Sequence, residues 1–229
     1  MPFHIGFLLF PDITQLDMTG PYEVFTKIPG AQVHLIWKNR EPVTAGGGMR
    51  ISPTTTFADC PPLDLICVPG GAGMNPLLND SETVDFIRRQ AKGARYVTSV
   101  CTGALVLGAA GLLKGKRATT HWMSLEMLAA FGATPVAERV VIDGNVITGG
   151  GVTAGIDFAL QVAAQIVDED LAKSIQLAIE YDPHHPFDAG STKRADPALV
   201  AKTRAGAAKR QAERRAAVDA AAAKLAPAR

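Results

Sequence analysis

The sequence predicts a doubly wound α/β fold, in which helices cover both faces of a mostly parallel sheet. Short β-like runs alternate with helical segments along most of the 229 residues, the pattern expected of this fold class. The first predicted strands are Ile5–Phe10, Gln32–Trp37, Leu63–Val68 and Ala94–Val100. Asp143-Gly144 separates two further β runs and predicts a hairpin, because both residues tolerate positive φ.

The helices are placed by their start signals and by the spacing of their apolar residues. The first is predicted to open at Gly20-Pro21, since proline suits the first helical turn. Ser81 is expected to cap a later helix, and a buried helix is predicted over Thr102–Leu113. The other predicted elements are a short strand at Arg117–His121 and helices at Ser124–Phe131, through Ile156 to Ala163, and at Leu171–Tyr181.

The last part of the chain differs in composition from the rest. Fifteen of the last 35 residues are alanine, and residues 193–229 hold ten Lys or Arg against three Asp or Glu. This segment therefore carries +7 and residues 1–192 carry −6, which together give the formal charge of +1. We divide the chain into an α/β domain over residues 1–190 and a basic helical arm over 191–229, with Asp196-Pro197 as the start of its helix.

The charge pattern argues against two classes of partner. A net charge of +1 is not that of a dedicated nucleic-acid or membrane-surface binder. The arm is basic but lacks interleaved aromatic residues, so we expect it to pack on the body or on a partner subunit. The uncharged stretch Tyr96–Leu113 is interrupted by Thr, Ser and Gly and is not expected to span a membrane.

The cysteine and histidine patterns predict neither disulfides nor a metal site. Cys60, Cys67 and Cys101 make an odd number with no CxxC pair, which fits neither a disulfide framework nor a structural zinc site. A reducing, cytoplasmic location is therefore expected. His184-His185 has no third ligand at useful spacing, so no metal is predicted.

The most informative segment is Val97–Leu105, where a predicted strand runs straight into a helix with Cys101 at the junction. This arrangement is the cysteine analogue of the nucleophile elbow of Ser hydrolases. Backbone N–H groups and a helix dipole at that point favour the thiolate, the reactive form of cysteine. A buried structural cysteine is the alternative. Cys67 is expected in the core and Cys60 in a loop.

Other segments are expected near the same sheet edge, where open α/β sheets place ligands. Gly70 and Gly71 follow the third strand, and their N–H groups are candidates to stabilise an anion; a tight strand exit is the alternative. Asp17 follows the first strand and is a candidate proton donor or acceptor, or a helix cap. Gly150, in a run of three glycines, marks close approach to a pocket or simple packing. His121 is either a partner for the cysteine or a structural residue.

These segments together resemble the DJ-1/PfpI superfamily over about residues 1–190. Cys101-Thr102-Gly103, Thr119–Trp122 and Thr148–Gly151 are most similar to its bacterial isocyanide hydratases. The resemblance implies a flavodoxin-like sandwich, a homodimer and hydration of an isocyanide to an N-formamide with no cofactor.

The resemblance also implies roles for the site residues. Cys101 would attack the terminal carbon of the isocyanide and form a covalent thioimidate. Asp17 would donate the proton and later activate water, and Thr102 would orient substrate or water. Gly70, Gly71 and Gly150 are expected to contact the substrate or the developing anion.

Two alternatives stay open. Many protease-like and glyoxalase-like relatives carry His directly after the elbow cysteine, whereas this chain has Thr102, which weakens but leaves open a DJ-1-like glyoxalase. The elbow and Ala118–Trp122 also resemble the sensor domains of AraC-type transcription regulators. Those need two helix-turn-helix units, for which too few residues follow Ser191. A non-catalytic small-molecule-binding protein is therefore the second alternative.

Overall fold

The structure, a computed structural model, describes residues 2–225. In chain order its elements are β1 (Phe3–Leu8), α1 (Gln15–Phe25), β2 (Ala31–Trp37), β3 (Val43–Thr44), β4 (Arg50–Ile51), β5 (Thr55–Thr56), β6 (Leu65–Val68), α2 (Met74–Leu77), α3 (Ser81–Gly93), β7 (Tyr96–Val100), α4 (Gly103–Ala109), β8 (Arg117–Ala118), a 3-10 helix (Trp122–Phe131), β9 (Thr134–Pro135), β10 (Val140–Asp143), β11 (Val146–Gly149), α5 (Ala154–Ile166), α6 (Glu169–Ala178), α7 (Pro197–Gly206) and α8 (Ala208–Ala223).

The central sheet has seven strands in the order β10-β11-β7-β6-β1-β2-β5. Every neighbouring pair is parallel except β10–β11, the hairpin predicted at Asp143-Gly144. From β1 the chain moves to β2 on one side and returns to β6 on the other. Open α/β sheets bind ligands at such a reversal point, beyond the carboxyl ends of the strands. The doubly wound, flavodoxin-like architecture is confirmed.

Helices pack in two groups around the sheet. On one side α1 packs against α5 and α5 against α6, while α4 packs against α2, α3 and α8. Phe7 of β1 lies against Phe25 of α1, which makes an edge-on contact with Phe158 of α5. These three aromatic side chains are fully buried. Their packing fixes the position of α1 relative to β1 and α5.

The start predicted for the first helix is wrong. The helix begins at Gln15 and includes Pro21 within it. Proline there removes a single backbone hydrogen bond, and close packing holds the helix in place: a Cβ added at Gly155 of α5 would lie 3.0 Å from Pro21 Cδ. The longer helix brings Asp17 into its first turn.

Several other boundaries also differ from the predictions. Asp80, not Ser81, is the N-cap of α3, and its Oδ2 accepts a hydrogen bond from Thr83 Oγ1. The helix predicted to reach Leu113 stops at Ala109, shortly before Gly111 adopts positive φ. The helix predicted at Ser124–Phe131 is a 3-10 helix that starts at Trp122. The last body helix is Glu169–Ala178, because the Asp168 side chain caps it by accepting from the Leu171 amide.

The strand predicted at Arg117–His121 has only two residues, Arg117 and Ala118. The next two residues form other hydrogen bonds: the Thr119 amide donates to Thr148 Oγ1, and Thr120 Oγ1 donates to the Cys101 carbonyl. These bonds draw the segment toward the elbow instead of extending the strand.

The arm contains two helices. α7 begins at Pro197, as predicted, and Asp196 Oδ1 accepts the amides of Ala198 and Leu199. α8 packs on the body through the buried Val218 and through neighbouring alanines. The packing expected for the arm is therefore observed for α8, while the division at residue 190 stays an interpretation of the sequence. None of the helices in residues 2–225 is long and apolar enough to cross a membrane.

Candidate active site

Cys101 occupies a strained backbone position between β7 and α4. Its φ is +56°, a region that non-glycine residues rarely adopt. Its amide donates to the carbonyl oxygens of Gly149 and Gly150 at 3.1 and 2.7 Å, and its carbonyl accepts the Thr120 hydroxyl at 2.6 Å. Hydrogen bonds on both sides thus hold the conformation that an elbow requires. The cysteine is 5% exposed.

The carboxyl group of Asp17 lies beside the Cys101 side chain. Asp17 is fully buried, and its Oδ2 accepts the Gly70 amide at 2.9 Å. Within residues 2–225, Oδ1 has no hydrogen-bond partner although it is buried. Buried oxygens are rarely left in this state. This atom is therefore free to accept a proton.

Burial changes the acid–base properties of both groups. It raises the pKa of Asp17 from 3.8 to about 7, although the Gly70 amide and Cys101 act to lower it. Burial and the nearby Asp17 carboxylate also raise the pKa of Cys101 well above its usual range, against the lowering effects of the Thr102 amide and the Arg214 charge. The pKa shift of Cys101 is opposite to what the elbow argument predicts, because desolvation outweighs the backbone donors.

Burial therefore favours the neutral, protonated form of Cys101. The pKa of Asp17, raised to about 7, lets its carboxyl take up and release a proton near neutral pH. Formation of the nucleophilic thiolate therefore requires transfer of the thiol proton to a neighbouring base, and Asp17 is in the position to accept it.

Thr102 connects the elbow to the turn after β6. Its Oγ1 accepts the Gly71 amide at 3.1 Å, and the residue is 3% exposed. Gly70 is required between these groups: a Cβ there would lie 2.6 Å from both Thr102 N and Oγ1, and 2.8 Å from Asp17 Oδ2. Because Gly70 has no side chain, the Asp17 carboxyl, the Thr102 hydroxyl and the Cys101 thiol lie close together around the turn after β6.

The amides of the three glycines that were candidates to contact an anion or the substrate already donate hydrogen bonds within the protein. The Gly70 amide donates to Asp17, the Gly71 amide to Thr102, and the Gly150 amide to the Arg139 carbonyl at 2.8 Å. Gly71 borders the cavity beside Cys101, and Gly150 positions Cys101 through its carbonyl. Their contact with substrate stays a prediction.

A cavity of about 290 Å³, here called the Cys101 cavity, opens beside these residues. It is lined by Thr14, Gly71, Ala72, Cys101, Thr102, His121, Met123, Val152, Arg210, Gln211 and Arg214. Its volume suits a small molecule. The body supplies the thiol and the hydroxyl, and helix α8 supplies one wall.

The α8 residues on that wall were not predicted from the sequence. Arg214 is 4% exposed, donates through Nε to Asn75 Oδ1 and through Nη1 to Ser124 Oγ, both at 3.0 Å. Ser124 Oγ also lies 3.3 Å from Gln211 Oε1. A run of Ala, Lys and Arg gives no indication of which arginine turns inward, because that depends on how the helix packs.

His121 lines the Cys101 cavity and also a second cavity of about 480 Å³. Its Nδ1 accepts the Met123 amide at 3.3 Å. Burial, followed by the charges of Arg214 and Arg210, lowers its pKa. The neutral ring is thus held as a structural acceptor at the wall between the two cavities, which fits the structural alternative for this residue.

The two remaining cysteines, and His184 and His185, do not line the Cys101 cavity. His184 and His185 are exposed, and the described residues contain no group of three or more His, Cys, Asp or Glu able to hold a metal ion. Cys67 is buried in β6, where burial raises its pKa to about 12. Cys60 is a partly buried free thiol.

Comparison with known proteins places this site in a family. The DJ-1/PfpI family matches residues 4–165. The chain is 60% identical over 208 residues to the isonitrile hydratase of Pseudomonas putida, covering 91% of each chain. It is 30% identical over 189 residues to the HTH-type transcriptional regulator GbdR of Pseudomonas aeruginosa, which covers 79% of this chain and 51% of the regulator.

Solved structures agree with these matches. A ThiJ/PfpI family protein from Pseudomonas syringae superposes with a TM-score of 0.92 at 42% identity, covering 97% of this chain and 91% of that one. Drosophila melanogaster DJ-1beta has the same fold at 23% identity, with a TM-score of 0.69 over 79% of this chain and 98% of its own. From its family match, its elbow cysteine and its fold, the chain belongs to the DJ-1/PfpI family.

Proposed function

We propose that this chain is an isocyanide hydratase, which adds water to R–N≡C to give the formamide R–NH–CHO. The observation that carries the proposal is the fully buried Asp17 carboxyl beside the side chain of Cys101, a cysteine that itself borders a small cavity. The Pseudomonas putida relative, named as an isonitrile hydratase, supports the same activity at 60% identity.

In the first step the thiol adds across the terminal carbon. The Cys101 proton passes to Asp17 while sulfur forms a bond to the isocyanide carbon, which places an electron pair on that carbon. The same proton then passes from Asp17 to carbon and gives the thioimidate R–N=CH–S–Cys101. A carboxyl group with a pKa of about 7 is suited to both transfers, because near neutral pH it accepts and donates a proton with similar ease.

In the second step water adds to the thioimidate carbon. Asp17, again a carboxylate, takes a proton from the attacking water and passes it to the imine nitrogen, which gives the tetrahedral intermediate R–NH–CH(OH)–S–Cys101. Collapse forms the C=O bond and breaks the C–S bond, and Asp17 transfers the hydroxyl proton to the departing sulfur, which leaves R–NH–CHO, the Cys101 thiol and the Asp17 carboxylate. The atoms balance with one water consumed, and the pair regains its starting protonation.

Thr102 has the position to orient the water or the substrate. Its oxygen accepts the Gly71 amide at 3.1 Å, so its hydroxyl hydrogen points elsewhere. Both Thr102 and Cys101 border the cavity. The hydroxyl is thus a donor next to the reacting carbon.

We further propose that the chain forms a homodimer and works in the cytoplasm. The resemblance to the DJ-1/PfpI superfamily supports the dimer. The three free cysteines support a reducing compartment.

The test is an isocyanide-consumption assay with purified protein and cyclohexyl isocyanide, following formamide by chromatography. Wild-type protein is expected to produce the formamide, and Cys101→Ala to produce none above the uncatalysed rate. If wild-type protein binds isocyanides yet leaves them unchanged, the non-catalytic binding alternative replaces this proposal. Conversion of an α-oxoaldehyde instead would favour the glyoxalase alternative.

A further inference from the structure

Two arginines of α8 border the Cys101 cavity without a counter-charge. Arg210 and Arg214 are one helical turn apart, so both side chains lie on the same helix face, and both line the cavity. Among residues 2–225 neither forms a salt bridge. Their neighbour Arg215 does pair, with Asp219 at 3.9 Å. Of the three arginines on α8, the two without a salt bridge among the described residues are thus the two that line the cavity.

Arg214 is a fixed donor. It is 96% buried, since only 4% of its surface is exposed, and Asn75 and Ser124 hold its Nε and Nη1 at 3.0 Å. No acceptor for its Nη2 is found in the described part of the chain. Neutral partners fix the orientation of the guanidinium but do not balance its charge.

Within residues 2–225, no group that lines the Cys101 cavity carries a negative charge. The lining residues include neither Asp nor Glu. Asp17 does not line the cavity, and its carboxyl is held by the Gly70 amide. Two like charges at this spacing also repel each other. An anion in the cavity would relieve both the repulsion and the burial of Arg214.

The geometry favours a bound anion over a direct contact with the nucleophile. Arg214 and Cys101 both border the cavity, yet no hydrogen bond joins the described guanidinium to the sulfur. A molecule small enough for about 290 Å³ is therefore able to present one end to Cys101 and the other to the arginines.

We propose that Arg214 and Arg210 bind a carboxylate on the substrate, so that the preferred substrates are isocyanides bearing a carboxylate, such as α-isocyano acids. This rests on the proposed function. The reaction is ⁻O₂C–CHR–N≡C plus water giving ⁻O₂C–CHR–NH–CHO, an N-formyl amino acid, and the carboxylate is unchanged. Arginine forks bind carboxylates through two parallel hydrogen bonds, which gives both affinity and orientation.

The experiment compares isocyanoacetate with its neutral methyl ester. Wild-type protein is expected to have a kcat/KM at least about tenfold higher for the acid. Arg210→Gln and Arg214→Gln are expected to lower kcat/KM for the acid by about 10- to 100-fold and for the ester by much less. Arg215→Gln, on the same helix but outside the cavity, is the matched control and is expected to keep the wild-type preference.

A binding measurement separates this inference from catalysis. Calorimetry on Cys101→Ala protein is expected to detect N-formylglycine binding that Arg210→Gln weakens, and weaker binding of its methyl ester. Equal use of acid and ester by wild-type protein, or equal loss on both substrates in Arg210→Gln, would overturn the carboxylate site. Arg214→Gln also changes the hydrogen bonds that join the arm to the body. The result for the exposed Arg210 therefore decides whether the carboxylate site exists. Consumption of cyclohexyl isocyanide shows separately whether the proposed hydration occurs.

Discussion

The two sides of the Cys101 cavity are built on different principles. On the body side, the first turn of α1, the turn after β6 and the end of β7 bring Asp17, Gly70 and Cys101 together, and burial shifts the pKa values of the acid and the thiol. On the arm side, α8 contributes charge, with Arg210 and Arg214 on one face. The reacting groups thus lie in a buried setting built around the sheet, whereas the groups proposed to recognise the substrate lie on the helix α8.

The largest expected effect comes from the nucleophile on the body side. Cys101→Ala removes the one thiol among the described residues that line the cavity. We expect isocyanide hydration to fall by at least about 10⁴-fold, as with other nucleophile deletions. Formamide production under steady-state conditions measures this loss. An active Cys101→Ala variant would remove sulfur from the mechanism.

Asp17→Asn is expected to lower kcat by about 10²- to 10⁴-fold, the usual contribution of a proton-transfer group. The wild-type pH profile gives a second readout. Below pH 7 the Asp17 carboxylate becomes protonated and no longer accepts the thiol proton, so kcat/KM falls with an apparent pKa near 7. A flat profile from pH 5 to 8 would contradict the role of this acid.

The same substitution is expected to stabilise the fold. Asp17 has a folded pKa of about 7 against an ordinary value of 3.8, so the folded chain keeps a proton that the unfolded chain releases between these values. Stability therefore decreases as pH rises through this window. At pH 8, Asp17→Asn is expected to be roughly 2–4 kcal/mol more stable. Denaturant unfolding at pH 8 and at pH 4 checks this, since the advantage should disappear at the lower pH.

Much of this body side was predictable from the sequence. The alternation of strands and helices predicted the sheet, and parallel strands bring their carboxyl ends to one edge, which places Asp17, Gly70 and Cys101 together. The first helix was mispredicted because Pro21 is accommodated by packing against α5. The elbow motif predicts a lowered thiol pKa because it shows the backbone donors, but the pKa of Cys101 is raised because desolvation depends on all the groups packed around the sulfur.

The arm side was largely unpredictable. Composition predicted a helical arm beginning at Asp196-Pro197, but not its division into two helices. The inward direction of Arg214 follows from bonds to Asn75 and Ser124, residues distant in sequence. Nothing in the alternation of Ala, Lys and Arg distinguishes Arg214 from Arg215. In the folded protein Arg214 lines the cavity, whereas Arg215 pairs with Asp219 at the surface.

Thr102→Val tests the hydroxyl between the two sides. It removes the oxygen that accepts the Gly71 amide, and we expect kcat to fall by about tenfold as one donor near the reacting atoms is lost. Thr102→Ser keeps the oxygen and is the matched control. Unchanged kinetics in Thr102→Val would reduce this residue to a packing role.

The smallest expected effect comes from loosening the arm. Val218 of α8 is fully buried against the body, and Val218→Ala is expected to destabilise the protein by about 1–2 kcal/mol. Because the chemistry resides in the body, KM should rise a few-fold while kcat stays near the wild-type value. Ala220→Ser, at an exposed position of the same helix, should change neither. A large loss of kcat in Val218→Ala would instead place reacting groups on the arm.

The central claim is that Cys101 carries the substrate as a thioimidate while Asp17 moves the proton. Intact-protein mass spectrometry on samples quenched during turnover of cyclohexyl isocyanide tests it most directly. The account predicts an adduct on Cys101 equal in mass to one whole isocyanide molecule, absent from Cys101→Ala. Steady formamide production with an unmodified Cys101 at every quench time, together with turnover by Cys101→Ala, would contradict it.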